Sequence, residues 1–182
     1  GIFDLPSKEE LVRLRHYQGI YHAFFISPAF PSYIHVGVAL VREEDHRMRS
    51  VFFVRSRDPE TSIVHRSHLN GLLFLRGERV FIMESSKKAQ DRFSETILSP
   101  THGDKMRYMT GVSIGLTWHP KSEPYASRTI WRRASPATEL RQAMKSCGLF
   151  KSNSPDIDPV VRNFFGPEQN LFKSNSLSAS GA

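Results

Sequence analysis

The sequence predicts a mainly β fold, an antiparallel meander of about eight to nine short strands forming a closed or half-open barrel, with a short N-terminal helix and one or two C-terminal helices. Three observations carry this. The stretch from Tyr17 to Arg133 is a succession of runs rich in Val, Ile, Phe and Tyr separated by charged, Pro or Gly clusters. A helical pattern is confined to the two flanks. At 182 residues, with 39% hydrophobic and 24% charged residues, the chain has the makings of one domain with appendages and is too short for two full-sized ones.

Taken in order, residues 1–16 read as a linker and a short helix. Ser7 stands three residues before Glu10, so the two side chains can cap each other's backbone donors, and Pro6 fits an incoming linker. The expected strands are 17–26, 34–42, 49–55, 62–66, 71–76, 79–84, 93–98, 108–118 and 125–133, together a β domain over 17–134. Between the fifth and sixth, Gly77-Glu78 places glycine first in a two-residue break, as a tight hairpin requires. Gly19, Gly37, Gly111 and Gly115 fall inside strands, where a curving sheet or a close neighbour needs a missing side chain. Closure of the meander would remove its exposed edges.

Residues 135–166 read as helices packed on the barrel. Ser135, Pro136, then Leu140, Met144 and Cys147 at helical spacing, with Gly148 as stop, predict one; Asp158 followed by Pro159 and closed by Gly166 predicts another. Val160, Val161, Phe164 and Phe165 are too apolar to stand free. Residues 167–182, rich in Ser, Asn, Ala and Gly, read as a disordered tail.

Composition narrows function. One cysteine, Cys147, cannot form an internal bridge, no apolar run approaches the ~18 residues that span a bilayer, and no signal pattern opens the chain, so a cytoplasmic, membrane-free protein is expected. The chain does not begin with Met, and a fragment of a longer protein is expected. Lys plus Arg number 25 against 18 acidic residues, a net charge of +7 that favours an anionic partner. The eight histidines show no metal-ligand spacing; His65 and His68, three apart on a strand, fall on opposite faces. Walker and Rossmann patterns are absent, as is a glycine-flanked serine elbow, so no metal, no cofactor and no catalytic residue is expected.

What remains is a set of polar side chains on strands. Tyr21 and His22 stand on opposite faces of the first strand, so one of them places a hydrogen-bonding group inside an apolar sheet. His35 reads as outward-facing. Arg76 lies beside the hairpin, and Arg128, Ile130 and Arg132 share a face of the last strand; any arginine facing inward needs an internal carboxylate such as Glu84 or an acidic ligand. Trp118 and Trp131 can wall a pocket or simply fill the core. The candidate ligand-binding residues are therefore Tyr21, His22, Arg76, Arg128 and Trp131, with Trp131 as wall and the arginines as partners of an acidic, partly apolar small molecule.

The segments LRHYQGIYHAFFISP, GLLFLRGERVFIMES, MTGVSIGLTW and PYASRTIWRR, with the Tyr17-x-Gly19-x-Tyr21 opening, resemble the C-terminal sensor regions that follow an XRE-type helix-turn-helix domain in bacterial transcriptional regulators, over about residues 10 to 150. The resemblance implies a self-associating, homodimeric effector domain without catalysis. It also implies a sensed small molecule or partner and an upstream DNA-binding domain that this sequence lacks. Two alternatives stand beside it: direct nucleic-acid contact through the basic aromatic strands SVFFVRSR and RTIWRR, and a small-molecule enzyme with its site inside the barrel.

Overall fold

A computed structural model describes residues 5–86, 92–100, 107–118 and 122–166. Helix α1 (Lys8–Arg15) leads into eight antiparallel strands: β1 (Gly19–Phe25), β2 (Tyr33–Glu44), β3 (Arg47–Arg57), β4 (Val64–Arg76), β5 (Arg79–Ser85), β6 (Phe93–Pro100), β7 (Tyr108–Leu116) and β8 (Pro124–Arg133). Each pairs with the next, and β1 pairs with both β2 and β8, so the meander closes into a barrel. A short helix α2 (Leu140–Ala143), a 3-10 turn (Met144–Ser146), strand β9 (Gly148–Lys151) and helix α3 (Pro159–Phe165) follow.

Local chemistry explains the elements that were legible. Ser7 caps α1 through a bond from Glu10 N, and Asp158 caps α3 through a bond from Val160 N. Gly77 takes φ +59° at the head of the β4–β5 turn, the conformation a glycine there supplies. The β2–β3 turn is made without glycine: Asp45 and His46 both adopt positive φ, 53° and 58°, which Asp and His tolerate better than most side chains. A Cβ on Gly111 would collide with the Ile97 carbonyl oxygen, so that glycine answers to the close approach of the next strand.

Two expectations are corrected. The expected strands 62–66 and 71–76 merge, from residue 64 on, into a single strand, β4, paired continuously with β3 from Met48↔Leu73 to Arg57↔Val64, so the barrel has eight strands, within the expected eight to nine. The helix expected after Ser135 is one turn long, Leu140–Ala143, followed by the 3-10 turn Met144–Ser146, and past the expected stop Gly148–Lys151 pairs with Tyr33–Val36 of β2. That stretch of β2 has lost β3 as a neighbour, whose pairing begins only at Gly37, and its free edge recruits β9. The tail expected over 167–182 lies outside the described residues.

The core is in two parts. Inside the barrel, Met48, Leu73, Leu75, Val80, Ile82, Leu98 and Met109 fill one end, and Leu11 and Leu14 of α1 plug it. Outside, Phe24, Ile26, Ile34, Val36 and Ile130 are covered by Ile157, Val161 and Phe165. Arg132 and Tyr108 hold Asp158 at 2.9 and 3.0 Å, fixing α3 against β7 and β8. Among the described residues, no helix is long and apolar enough to cross a membrane.

Candidate functional site

Beyond the plug, the inward positions of the same strands change character. Where β5 carries Val80 and Ile82, it next presents Glu84; β3 presents Ser50 and Ser56, β6 Ser94 and Thr96, β7 Ser113, and β8 Tyr125, Ser127 and Thr129. Of these, Glu84, Ser94, Thr96, Ser113, Tyr125 and Thr129, with aromatic walls from Phe25, Phe52, Trp118 and Trp131, surround a cavity of about 80 Å³. That is room for a handful of waters or a ligand of similarly few heavy atoms.

Glu84 is 2% exposed. Its side chain has space because the residue opposite is Gly71, where a Cβ would meet the Glu84 Cα and Cγ at 2.7 Å. Ser50 Oγ donates to Oε1 at 2.5 Å. Burial pushes the carboxyl up to about 7, the Ser50 bond offsetting part of the rise. Its second oxygen, Oε2, has no protein partner among the described residues.

His35, 1% exposed, stacks flat on Phe25 at 4.9 Å and meets Phe30 and Trp118 edge-on. Its Nδ1 lies 3.3 Å from Ser56 Oγ, whose hydroxyl donates in turn to the Gly148 carbonyl. That chain makes Nδ1 the donor and leaves Nε2 as a bare acceptor, buried and without a partner. Burial, reinforced by the neighbouring His65, drops its pKa to about 3, so the ring is neutral. Tyr125 has its hydroxyl beside the cavity, its phenol pushed up to about 12 by burial, and no hydrogen-bond partner among the described residues.

At the mouth, Ser67 Oγ accepts from Trp118 Nε1 at 3.0 Å and from Arg92 Nη1 at 2.7 Å, and His65 lies flat on Trp118 at 4.6 Å. His65 and His68 do face opposite sides of β4: His68 stacks on Phe53 outside the barrel. Among the described residues no group of three His, Cys, Asp or Glu is placed to hold a metal ion.

Of the five residues singled out from sequence, Trp131 lines the cavity, stacked on Phe52 at 6.2 Å. Tyr21 faces inward but lies in the filled half, its hydroxyl donating to Tyr17 O at 2.8 Å. The other three are outside the barrel, because each falls one residue out of phase with the inward positions of its strand. His22 is buried on the outer face, its Nδ1 unpartnered, and burial helped by the Arg132 charge holds its pKa below the usual imidazole value. Arg76 bonds the Leu75 carbonyl at 2.7 Å and Glu10 at 3.3 Å, and Arg128 covers the Phe164 ring at 4.2 Å. His35, read as outward, is corrected to inward, and Glu84 meets Ser50 rather than an arginine.

His35, Glu84 and Tyr125 are the site residues not chosen from sequence: His35 reads there as outward, Glu84 is named only as an internal carboxylate for an inward arginine, and Tyr125 is not singled out. The signal for Glu84 was present: Val80, Ile82 and Glu84 alternate in one strand, and an acid in phase with two core aliphatics is an internal acid. Compared with protein-family models and with curated proteins, the chain matches none.

Proposed function

We propose that the barrel is a non-enzymatic binding domain for a small, neutral, planar molecule that carries both a hydrogen-bond donor and an acceptor. The observation that carries this is that Glu84, His35 and Tyr125 line one cavity, His35 Nε2 being buried without a partner and Glu84 Oε2 and the Tyr125 hydroxyl having no protein hydrogen bond among the described residues. Buried polar groups left unmatched cost about 1–3 kcal/mol each, and a ligand that matches them recovers that cost. A protonated Glu84 donates, His35 Nε2 accepts, and Tyr125 does either. The aromatic walls suit a flat ligand. The acidic ligand expected from sequence loses its support, since Arg76 and Arg128 point away and Arg92 alone, among the described arginines and lysines, borders the cavity.

The likeness to regulator sensor regions supports the second half of the reading: occupancy of the cavity biases an attached DNA-binding domain. Reading the coding frame upstream of Gly1 tests that half. A helix-turn-helix domain in frame supports it; a start codon directly before Ile2 overturns it.

The binding half is tested with 2-pyridone, which has one donor and one acceptor on a planar ring, followed by tryptophan fluorescence and thermal melting. It is expected to bind more tightly than benzene, which lacks both, and than benzoate, which is charged. Glu84→Leu and His35→Phe are each expected to weaken it about tenfold. Benzoate binding as well as 2-pyridone, or variants without effect, would overturn the proposal.

A further inference from the structure

A second concave feature lies outside the barrel. The outer face of β3 and β4 and the wall formed by α2, the 3-10 turn and Cys147 enclose a groove of about 850 Å³. It runs into an adjoining groove of about 310 Å³, the two sharing Arg55, Met144, Lys145 and Cys147. Arg55, Arg66, Arg92, Arg141 and Lys145 line the first, and Arg57 joins them in the second. Among the described residues, no Asp or Glu lines either one.

Several arginines elsewhere on this surface are neutralised: Arg15 holds Glu43 at 2.7 Å, Arg49 holds Glu44 at 3.1 Å and Arg132 holds Asp158 at 2.9 Å. Among the described residues, the groove's Arg55, Arg66, Arg141 and Lys145 have no carboxylate partner. The two joined grooves thus present charge of one sign on a concave surface, with no lining carboxylate among the described residues. Concave walls of one sign focus potential and raise the local concentration of the opposite charge.

Six cations lining two joined grooves are more than one phosphate or carboxylate can use. The floor adds a second property. Phe53 and His68 form a stacked pair, centroids 4.6 Å apart, and Met144 beside them is 40% exposed. A cationic channel with aromatic and apolar surface along its floor matches a chain of phosphates carrying flat rings.

We propose that this groove binds single-stranded nucleic acid, with phosphates held by Arg55, Arg66, Arg141 and Lys145 and a base laid on the Phe53–His68 pair. The groove meets the mouth of the barrel cavity at Val54, Ser67 and Arg92, but none of the contact residues named here lines that cavity, and the site does not depend on that reading.

The test is anisotropy of a short fluorescein-labelled oligothymidylate titrated with the full chain across a range of salt. Four phosphate contacts are expected to give a log–log salt slope near −3, at about −0.7 per contact on a single strand. The double variant Arg55→Glu/Arg141→Glu is expected to weaken binding by at least about tenfold. Arg47→Glu/Arg79→Glu, which makes the same change of net charge beside the hairpins at the plugged end, is expected to change it less than about twofold. Phe53→Leu, which keeps an apolar side chain but removes the ring, tests the stacking platform and is expected to cost about fivefold at unchanged salt slope. Equal losses in the two double variants would overturn the site in favour of diffuse charge. Poly-glutamate binding as tightly as the oligonucleotide, with the same sensitivity to Arg55 and Arg141, would overturn nucleic acid in favour of an acidic protein segment. Duplex DNA competing better than the single strand would overturn the single-stranded assignment.

Discussion

The two halves of the barrel interior are built from the same strands with the same alternation, yet one is filled and the other is not. Around Leu73, Val80, Ile82 and Leu98 the inward side chains are mostly apolar, with Leu75, Met48, Met109 and Tyr21 among them, and α1 seals the end with Leu11 and Leu14. One or two steps further along the same strands, the inward positions are Ser50, Ser67, Glu84, Ser94, Thr96 and Ser113, and a cavity remains among them. A barrel needs only one packed half to hold its register. The second half is free to carry groups that packing alone would not choose, and the difference locates the site without reference to any ligand.

The largest effect should come from disturbing the filled half. Ile82→Ala removes a fully buried side chain and is expected to cost about 2–5 kcal/mol in chemical denaturation. In the other half, Thr96 Oγ1 and Ser113 Oγ bond each other at 2.9 Å, and replacing both (Thr96→Val with Ser113→Ala) removes donor and acceptor together. That double change is expected to stay within about 1 kcal/mol of the parent. Equal costs in the two halves would break the contrast.

Next comes the pH dependence that the polar half alone imposes. Glu84 has a folded pKa near 7, raised above its ordinary 4.5, so the folded state binds the extra proton and stability falls as pH rises between those values. His35 has a folded pKa near 3, lowered from 6.5, so the unfolded state takes up the proton first and stability falls as pH drops below 6.5. Between pH 4.5 and 6.5 the two slopes oppose each other, and the parent protein should show a flat profile there. Glu84→Gln should expose the His35 slope, with stability rising with pH, and should make the protein more stable than the parent at pH 8 by on the order of 3 kcal/mol. His35→Phe should expose the opposite slope. Denaturant midpoints at pH 5, 6, 7 and 8 check all three curves, and parallel profiles would show that these two groups do not titrate against burial.

The same contrast explains how much the sequence revealed. The filled half was legible, because Val80 and Ile82 alternate cleanly with more exposed neighbours and Leu72–Leu75 form an unbroken apolar run. The polar half erased its own signal: His65, Ser67 and their neighbours break the hydrophobic pattern of β4, which is why one strand read as two. Direction was hidden for another reason. On β2 both faces are buried, His35, Ala39 and Val41 inward and Ile34, Val36 and Val38 outward, because part of the outer face is covered by the C-terminal segment. Two apolar faces give alternation nothing to distinguish, so His35 was assigned to the wrong one. The caps of α1 and α3 were legible because they are local, whereas β9 was not, because its partner is a free edge more than a hundred residues away in sequence.

The smallest expected effect separates inside from outside on a single strand. Trp131 and Arg128 on β8 are three residues apart and therefore face opposite ways. Arg128 places its guanidinium 4.2 Å from the centroid of Phe164 on α3, an arrangement worth about 0.5–1 kcal/mol on a partly exposed surface. Arg128→Ala should therefore lower stability by that amount, loosening α3 while Arg132–Asp158 still holds it, and should leave binding of 2-pyridone in the cavity unchanged. Trp131→Phe should do the reverse in kind, altering the probe's affinity through a wall that faces the cavity. If Arg128→Ala weakened the probe and Trp131→Phe did not, the inward and outward faces of β8 would have to be exchanged, and with them the assignment of Glu84 and His35 to a common interior.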